Sequence, residues 1–443
     1  MERFDVIIIG AGPGGYEVAA ELAALGTSVA IIERDKPGGT CLNRGCIPTK
    51  CLCATASHVL AAESAAQFGV ITGSTTVDYA AARRRMWQVV DNLREGVRSE
   101  LSRVRYISGE AVINPDGSIG VGNDVYAAGK VLIATGSKPA KPSIPGIHHA
   151  FTSDDILELD MDVPPRLTIV GGGVIGIEFA SIFRALGSKV TVVEYCKEIL
   201  PSFDEDIAKR LRLALRARGI DFVTGARVKS IDEDHAVIYE TKKGENTLPG
   251  DAVLVATGRI PVVPEGTREA GINLNDKGFI EVDDNMLTSR PGFYAAGDVT
   301  GLCMLAHAAT AQARRALLPD GEDVELGIIP SAVFSSPETA MVGLTAAQCA
   351  AHGVECLECK APYAANGKAM AMGCTTGVVK IVYSPATRLI LGVHVLGQHA
   401  SDIVAEAAAL IYGMVSVDDL ARDLVHGHPT LSEILQAAAR NAK

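Results

Sequence analysis

Two segments of this chain carry the same succession of strand, glycine turn, helix, strand and acidic residue, and that repetition restricts the fold more than any other feature. A strand over Phe4-Ile9, ending in the apolar run Val6-Ile7-Ile8-Ile9, has the composition of a parallel strand buried on both faces. Gly10-Ala11-Gly12-Pro13-Gly14-Gly15 turns from it into a helix that ends near Gly26, and Val29-Ala30-Ile31-Ile32 forms a second strand closed by Glu33. The unit returns at Leu167-Thr168-Ile169-Val170, followed by Gly171-Gly172-Gly173-Val174-Ile175-Gly176, a helix to Ala185-Leu186-Gly187, and Val190-Val193 with Glu194. First glycine and acid stand 23 positions apart in both copies, Gly10 to Glu33 and Gly171 to Glu194. In this spacing the first glycine allows a tight turn. The second (Gly12, Gly173) lets backbone approach a pyrophosphate, and the third (Gly15, Gly176) lets the helix pack on the strand. Glu33 and Glu194 stand where a carboxylate accepts hydrogen bonds from a ribose.

A further matched pair, Val131-Leu132-Ile133-Ala134-Thr135-Gly136 and Val253-Leu254-Val255-Ala256-Thr257-Gly258, closes each copy with a strand and a small-residue turn, which adds Thr135, Gly136 and Gly258 to the expected cofactor contacts. Two dinucleotide units in one chain imply electron transfer between their ligands. The rest of the 443 residues fits around them. Cys46-Phe68 and Tyr79-Val104 read as helical, and Pro139 to Pro145 as a linker. Phe293-Tyr294-Ala295-Ala296-Gly297-Asp298-Val299 is a returning strand that places Asp298 at a ribityl or phosphate group. From about Pro330 the pattern changes to alternating strands (Val378-Tyr383, Leu389-Val395) and two helices (Ser401-Tyr412, Thr430-Ala439), a separate α+β unit. The expected class is α/β, with two Rossmann-like dinucleotide-binding domains and a C-terminal α+β domain. The expected boundaries are 1–147 and 148–270 for the two nucleotide units, 271–327 for a segment returning to the first, and 328–443 for the last.

Net charge is −11, and no Lys/Arg-rich stripe would follow a phosphate backbone, so nucleic-acid binding is not expected. Arg83-Arg84-Arg85 reads as the solvated face of a helix. Met1 runs directly into the first strand without a charged leader or cleavage site, and no apolar run approaches the ~20 residues of a membrane helix. The expected location is therefore cytoplasmic. In that reducing compartment ten cysteines do not imply a structural disulfide framework.

Cys41 and Cys46, in Gly38-Gly39-Thr40-Cys41-Leu42-Asn43-Arg44-Gly45-Cys46-Ile47-Pro48-Thr49-Lys50, directly follow the first nucleotide unit. Residues five apart in a regular helix have Cα atoms roughly 8–9 Å apart, too far for an unstrained disulfide. A bond there requires a distorted turn, for which Gly45 supplies the freedom, and a strained, accessible disulfide is the kind that exchanges with substrate thiols. The plainer alternative is two small buried hydrophobes. Cys51 and Cys53 read as helix-packing residues. Cys349, His352, Cys356 and Cys359 have a zinc-like spacing, but Val354-Lys360 reads as a strand, on which residues three apart face opposite ways, and no metal is expected.

Taken together, Gly10-Gly15, Cys41-Lys50, Gly171-Glu194, Ala256-Thr257-Gly258-Arg259, Gly297-Asp298-Val299 and His426-Gly427-His428-Pro429-Thr430-Leu431-Ser432-Glu433 give the chain a nearly end-to-end resemblance to the pyridine nucleotide-disulfide oxidoreductases, within them to the dihydrolipoamide dehydrogenases. The resemblance implies FAD on the first glycine motif, NAD on the second and a C-terminal dimerisation domain in a homodimer. It makes Cys41 the interchange thiol and Cys46 the thiol beside the flavin, with Lys50 and Glu178 as a pair near the flavin ring. His428 becomes the base and Glu433 its orienting carboxylate, both supplied by the opposite subunit. The implied reaction oxidises dihydrolipoamide with NAD+. The substrate would be carried by a lipoyl-bearing protein in trans, from a 2-oxo acid dehydrogenase complex or a glycine-cleavage H protein. Glu194, followed by Tyr195, Cys196 and Lys197 without an arginine pair, favours NAD over NADP.

The chain departs from that pattern at Thr49, Gly427, Ala309-Ala313, Gly367-Lys368 and Gln398-His399, positions that bear on flavin tuning, dimer contacts and substrate fit. The alternatives are a relative that reduces a glutathione-like disulfide or a metal ion, and a non-catalytic flavoprotein scaffold or redox sensor. The terminal cysteine pair of mercuric reductase-like and large thioredoxin reductase-like enzymes is missing from Ala439-Arg440-Asn441-Ala442-Lys443. A scaffold has no need of both cysteines, His428 and Glu433 together.

Overall fold

The computed structural model describes residues 1–319, 321 and 324–443. The first apolar run forms the strand Glu2–Ile9, which lies parallel between Val29–Glu33 and Asp124–Ile133. Arg105–Ser108 extends this sheet on one side. Ile119–Val121 and Ala111–Ile113 extend it on the other, and Phe293–Ala295 returns to pair in parallel with Asp124–Ile133. Ile7, Ile8, Ile31 and Ile32 are at most 1 % exposed, because helices or return segments cover both faces of the sheet. Each such side chain contributes about 1.5–3 kcal/mol of transfer free energy.

The second copy builds a four-stranded, wholly parallel sheet in the order Ile220–Thr224, Lys189–Glu194, Arg166–Val170, Ala252–Val255. In both copies the third glycine makes the closest approach. A Cβ on Gly15 would stand 2.0 Å from the Gly10 carbonyl oxygen, and one on Gly176 2.0 Å from that of Gly171. Gly10 and Gly171 are left-handed, at φ +104° and +110°, with the same backbone oxygen distance of 2.4 Å awaiting a Cβ, from Ala134 and Ala256 respectively. The duplication is thus stereochemical as well as sequential.

The chain passes between the two units through an antiparallel pair, Ser137–Pro139 with Arg259–Pro261. The C-terminal unit is a five-stranded antiparallel sheet, ordered Ser331–Val333, Thr339–Gly343, Ile390–Leu396, Val378–Tyr383, Leu357–Pro362. Helices Ala400–Tyr412, Val417–Arg422 and Glu433–Ala439 pack on it. Lys380, buried on the strand next to the edge of that sheet, pairs with Glu358 of the edge strand and with Asp204 at 2.7 Å, and the second bond fastens the C-terminal unit to the second nucleotide unit.

Several expectations need correction. Arg83 is not solvated: it is 6 % exposed, lies 5.9 Å from the Tyr79 ring and donates to the Glu158 carbonyl, leaving Arg84 and Arg85 outside. Its aliphatic stem fills the inward stripe of the helix Tyr79–Glu100, which charge counting overlooks. The last helix begins at Glu433 rather than Thr430. The strand expected over 354–360 runs Leu357–Pro362, and helix Val417–Arg422 was not anticipated. Among the described residues no helix is long and apolar enough to cross a membrane, and no group of three or more His, Cys, Asp or Glu could hold a metal ion.

Candidate active site

The cysteine motif is shaped by two glycines and one asparagine. Gly38, left-handed at φ +94°, donates its N–H to the Ala11 carbonyl at 2.7 Å and starts the short helix Gly39–Arg44. Buried Asn43 donates to the carbonyls of Pro37 and Gly39 and accepts from Arg94 Nε, so the loop is pinned from both ends. At Gly45 the helix breaks, and a Cβ there would lie 2.9 Å from the Thr40 carbonyl oxygen. A new helix, Cys46–Ser64, starts at the second cysteine. The break is the distortion that the five-residue spacing demands. It leaves Cys46 at the first position of a 19-residue helix whose N-terminus no side chain caps, where the helix dipole favours a thiolate.

Both thiols are free here, and the two side chains are hydrogen-bonded to each other. That bond holds the Cys46 thiol down, to about 7 from its ordinary 9.0, and Lys50 acts in the same direction against burial and Glu178. Cys41 is pushed far upward by the same bond and by burial. Of the two sulfurs, Cys46 is thus the one that carries charge. Lys50 lies one helical turn beyond it. Its ammonium contacts both oxygens of Glu178, at 2.8 and 2.9 Å, and sits 4.2 Å from the centroid of the Phe334 ring. Phe334 N–H donates to Glu178 at 3.0 Å. Burial alone would depress the Lys50 ammonium, but Glu178 more than offsets it and the net shift is upward.

These groups line a cavity of about 690 Å³, in the range of cofactor sites. Its lining includes Glu33 and Gly10, Gly12 and Gly14 at the start of the helix Pro13–Ala24, whose N-terminus also lacks a side-chain cap. Thr135, Gly136 and Asp298 line it as well, together with Cys41, Cys46, Lys50 and Glu178. The chain fits FAD: one cavity lining offers free N–H groups and glycine backbone for a pyrophosphate, the acids Glu33 and Asp298 for hydroxyls, and a thiol and an ammonium. Gly15 is absent from the lining because it does the packing instead.

Glu33 does more than await a ribose. Its two oxygens accept from Ala11 N–H at 2.7 Å and Asp35 N–H at 2.8 Å, which holds the glycine turn against the second strand. Glu194 repeats both bonds, accepting from Gly172 N–H and from Cys196 N–H at 2.6 Å. Each acid therefore builds its loop, with lone pairs remaining for a ligand. Gly171, Gly173, Gly176, Glu194 and Gly258 lie outside the large cavity, but Val174, Ile175 and Glu178, from the helix that the second motif starts, line it. Whatever binds the second motif is thereby brought toward the first cavity.

Sequence reasoning missed several supports. Ser137 Oγ donates to Asp298 at 2.5 Å, and Arg259 donates to Ser137. Gln312 accepts from Gly297 N–H at 2.7 Å, fixing the Gly-Asp turn. Ala309 explains part of the departure in its segment: a Cβ on Gly14 would stand 3.1 Å from the Ala309 Cβ, so a larger residue there would separate the two helices. Phe334, which arrives from the C-terminal unit, has no local motif.

His428 and Glu433 meet as expected, Nδ1 to Oε1 at 2.9 Å. Glu433 also accepts from Thr430 N–H at 2.8 Å, and that bond, then the histidine, holds its carboxyl below the usual range. Asn366, beside the Gly367-Lys368 departure, donates to the Thr430 carbonyl and steadies the same turn. The His428 side chain is 80 % exposed and is not part of the cavity that contains the cysteines. The neighbouring His426 is instead buried against Glu406 at 2.7 Å.

Residues 4–313 match the family model "Pyridine nucleotide-disulphide oxidoreductase" and residues 329–439 its dimerisation domain. The chain is 37 % identical to a dihydrolipoyl dehydrogenase of Chlamydia pneumoniae, over 98 % of this chain and 95 % of that protein. It is also 37 % identical to one of Bacillus subtilis (strain 168), over 99 % and 97 %. Among solved structures it is similar to the Cu(II) complex of the HOCl-induced flavoprotein disulfide reductase RclA from Escherichia coli, with TM-score 0.87 and 31 % identity over the full length of both chains.

Proposed function

Because the chain belongs to the pyridine nucleotide-disulphide oxidoreductases and is a flavin-dependent disulfide oxidoreductase using FAD and NAD, with a dimerisation domain that makes it a homodimer, we propose that it oxidises dihydrolipoamide to lipoamide with NAD+ as acceptor. We assign the first cavity to FAD, held by Gly10, Gly12, Glu33, Thr135, Gly136 and Asp298. The second motif, in residues 148–270, is assigned to NAD, held by Gly171, Gly173, Glu194 and Gly258, with Gly15 and Gly176 as packing residues. Bound FAD supplies an acceptor for the electron pair of the dithiol and a donor to the nicotinamide.

The protein's own residues supply the rest. Cys41 and Cys46, joined as a disulfide in the resting enzyme, present Cys41 to the substrate. A dihydrolipoamide thiol gives its proton to His428 Nε2 and attacks Cys41 Sγ, releasing Cys46 as a thiolate. The second substrate thiol then attacks its own sulfur in the mixed disulfide, releasing lipoamide and the Cys41 thiol. The Cys41 hydrogen bond, the helix N-terminus and Lys50 hold the charge on Cys46. Glu433 fixes the His428 ring with Nδ1 protonated and stabilises the imidazolium.

The observation that carries this reading is the position of that dyad. A well-formed His-Glu pair, exposed and outside its own chain's thiol cavity, has a use only against the cavity of a second copy. The substrate arrives on a lipoyl-bearing protein in trans, of a 2-oxo acid dehydrogenase complex or a glycine-cleavage system, in the cytoplasm, a compartment that suits a chain whose cysteines outside the Cys41–Cys46 pair are free. The test is turnover of dihydrolipoamide, lipoamide, glutathione disulfide and thioredoxin with NAD+ or NADH. Lipoyl substrates are expected to exceed the others by at least about 100-fold, a gap of ~2.7 kcal/mol. Equal or better turnover of glutathione disulfide would overturn the assignment, and Cys41→Ser must abolish turnover while flavin stays bound.

A further inference from the structure

The stretch that carries His428 to the surface, residues 424–432, is neither helix nor strand. Two bonds mark its ends, from Leu424 N–H to the Asp419 carbonyl at 3.1 Å and from Thr430 N–H to Glu433 at 2.8 Å. Of residues 424–429 only His426 turns inward, and the others are exposed. Its ring is 8 % exposed, with Nε2 2.7 Å from Oε1 of Glu406. Glu406 stands on the helix Ala400–Tyr412, whose Ile403, Val404, Ala407 and Leu410 are buried in the core of the C-terminal unit. The contact therefore ties a loop with no regular structure of its own to a rigid element. A carboxylate at that distance places a proton on Nε2, and Nδ1 is buried without a partner in the chain. Burying an unpaired nitrogen is unfavourable, so apolar packing alone would favour a leucine at this position.

We propose that Glu406 and His426 form a second histidine–carboxylate pair that positions His428, His426 itself taking no part in proton transfer. The inference rests on the reading of His428 as the base that serves the thiols of a second copy. Two residues of extended chain span at most about 7 Å, so a fixed His426 confines His428 to a small arc. Glu433 orients the His428 ring from one side of the turn. The His426–Glu406 bond holds the backbone from the other side. His426 and Glu406 are thus positioning residues, which act through His428.

A misplacement of about 1 Å in a reacting group can cost about 100-fold in rate. Loss of the pair should therefore slow the step in which a dithiol gives up its proton and opens the Cys41–Cys46 disulfide. Electron transfer from NADH through the flavin to ferricyanide bypasses thiols and base alike, and should be unaffected. Glu406→Gln keeps an oxygen acceptor for Nε2–H and removes only the charge, whereas Glu406→Leu and His426→Leu remove the bond.

Oxidised holoenzyme variants are mixed with dithiothreitol, quenched at intervals with alkylating agent under denaturing conditions, and the alkylation of Cys41 is followed by mass spectrometry. Dithiothreitol is a plain dithiol, so the result does not depend on which substrate the enzyme serves. Disulfide opening should slow at least about tenfold in each leucine variant and no further in the double variant. Glu406→Gln should retain at least about half of the wild-type rate. Ferricyanide reduction and the dimer mass should be unchanged throughout. Wild-type rates in the leucine variants, additive losses in the double variant, a loss in Glu406→Gln equal to that in Glu406→Leu, or dissociation of the dimer would each overturn the proposal. His428→Gln, measured alongside, separates the two readings. A wild-type rate there would remove the base and the proposal with it, whereas a slow His428→Gln beside fast leucine variants would remove the proposal alone.

Discussion

Replacing Cys41 by alanine and by serine separates two sources of Cys46 acidity. The Cys41 hydrogen bond is the largest influence lowering the Cys46 thiol to about 7. A bond of this kind to a charged acceptor contributes about 1.5–3 kcal/mol, and 1.36 kcal/mol corresponds to one pK unit. The thiolate accepts the bond, so losing the donor disfavours the charged form and raises the pKa, by about 1–2 units. Cys41→Ser keeps an O–H donor in place and Cys41→Ala does not. At pH 7 Cys46 should then be about half ionised in the serine variant and ~1–10 % ionised in the alanine variant. The assay is a pH titration of thiolate ultraviolet absorbance in each holoenzyme variant, taken as the difference from the same variant carrying Cys46→Ser. Midpoints that coincide within a few tenths of a unit would refute the hydrogen bond as the principal cause and leave Lys50 and the helix N-terminus to explain the shift.

Other expectations follow from the same geometry. Lys50→Met leaves the buried Glu178 carboxylate with only the Phe334 N–H and should cost about 3 kcal/mol in denaturant unfolding. Adding Glu178→Gln should recover part of that loss, and equal stability of the single and double variants would show that the pair is not coupled. Gly171→Ala puts a Cβ 2.4 Å from the Ala256 carbonyl oxygen, and should raise the Michaelis constant for NAD+ at least about tenfold while leaving flavin content unchanged. Glu433→Gln removes the charge that orients His428, so turnover should fall about 100-fold with KM for dihydrolipoamide little changed, a split that steady-state kinetics reads directly. NADPH should support lipoamide reduction at least about tenfold less efficiently than NADH, because the Glu194 carboxylate repels a 2′-phosphate.

What could be read from the sequence was whatever rests on short-range stereochemistry. The glycine turns, the parallel strands and the break at Gly45 are each dictated within a few residues, and the structure places them where the pattern did. Pairings across long separations were less accessible. Lys50 and Glu178, 128 positions apart, were named through family resemblance, and Phe334, which completes their site, carries no local signal at all. Arg83 shows the reverse failure: three adjacent arginines suggest a solvated face, yet helical periodicity turns the first inward beside Tyr79. Glu33 and Glu194 were assigned to ribose. Their loop-holding bonds to Ala11 and Gly172 became visible only once strand and turn stood side by side. The start of the last helix was misplaced because Thr430-Leu431-Ser432 has helix-compatible composition, whereas Glu433 folds that turn back through Thr430 N–H.

In the proposed dimer each active site takes its thiols from one chain and its base from the other. Cys41→Ser and His428→Gln subunits, separately tagged, can be reassembled into hybrid dimers and purified through both tags. Each parent homodimer should be inactive. In the hybrid, one site combines intact Cys41 and Cys46 with the intact His428 of the other chain, and the second site carries both defects, so lipoamide turnover should return to about half the wild-type value per dimer, in line with one intact site of two. A hybrid as inactive as its parents would contradict the claim, because it would mean that thiols and base must come from the same chain.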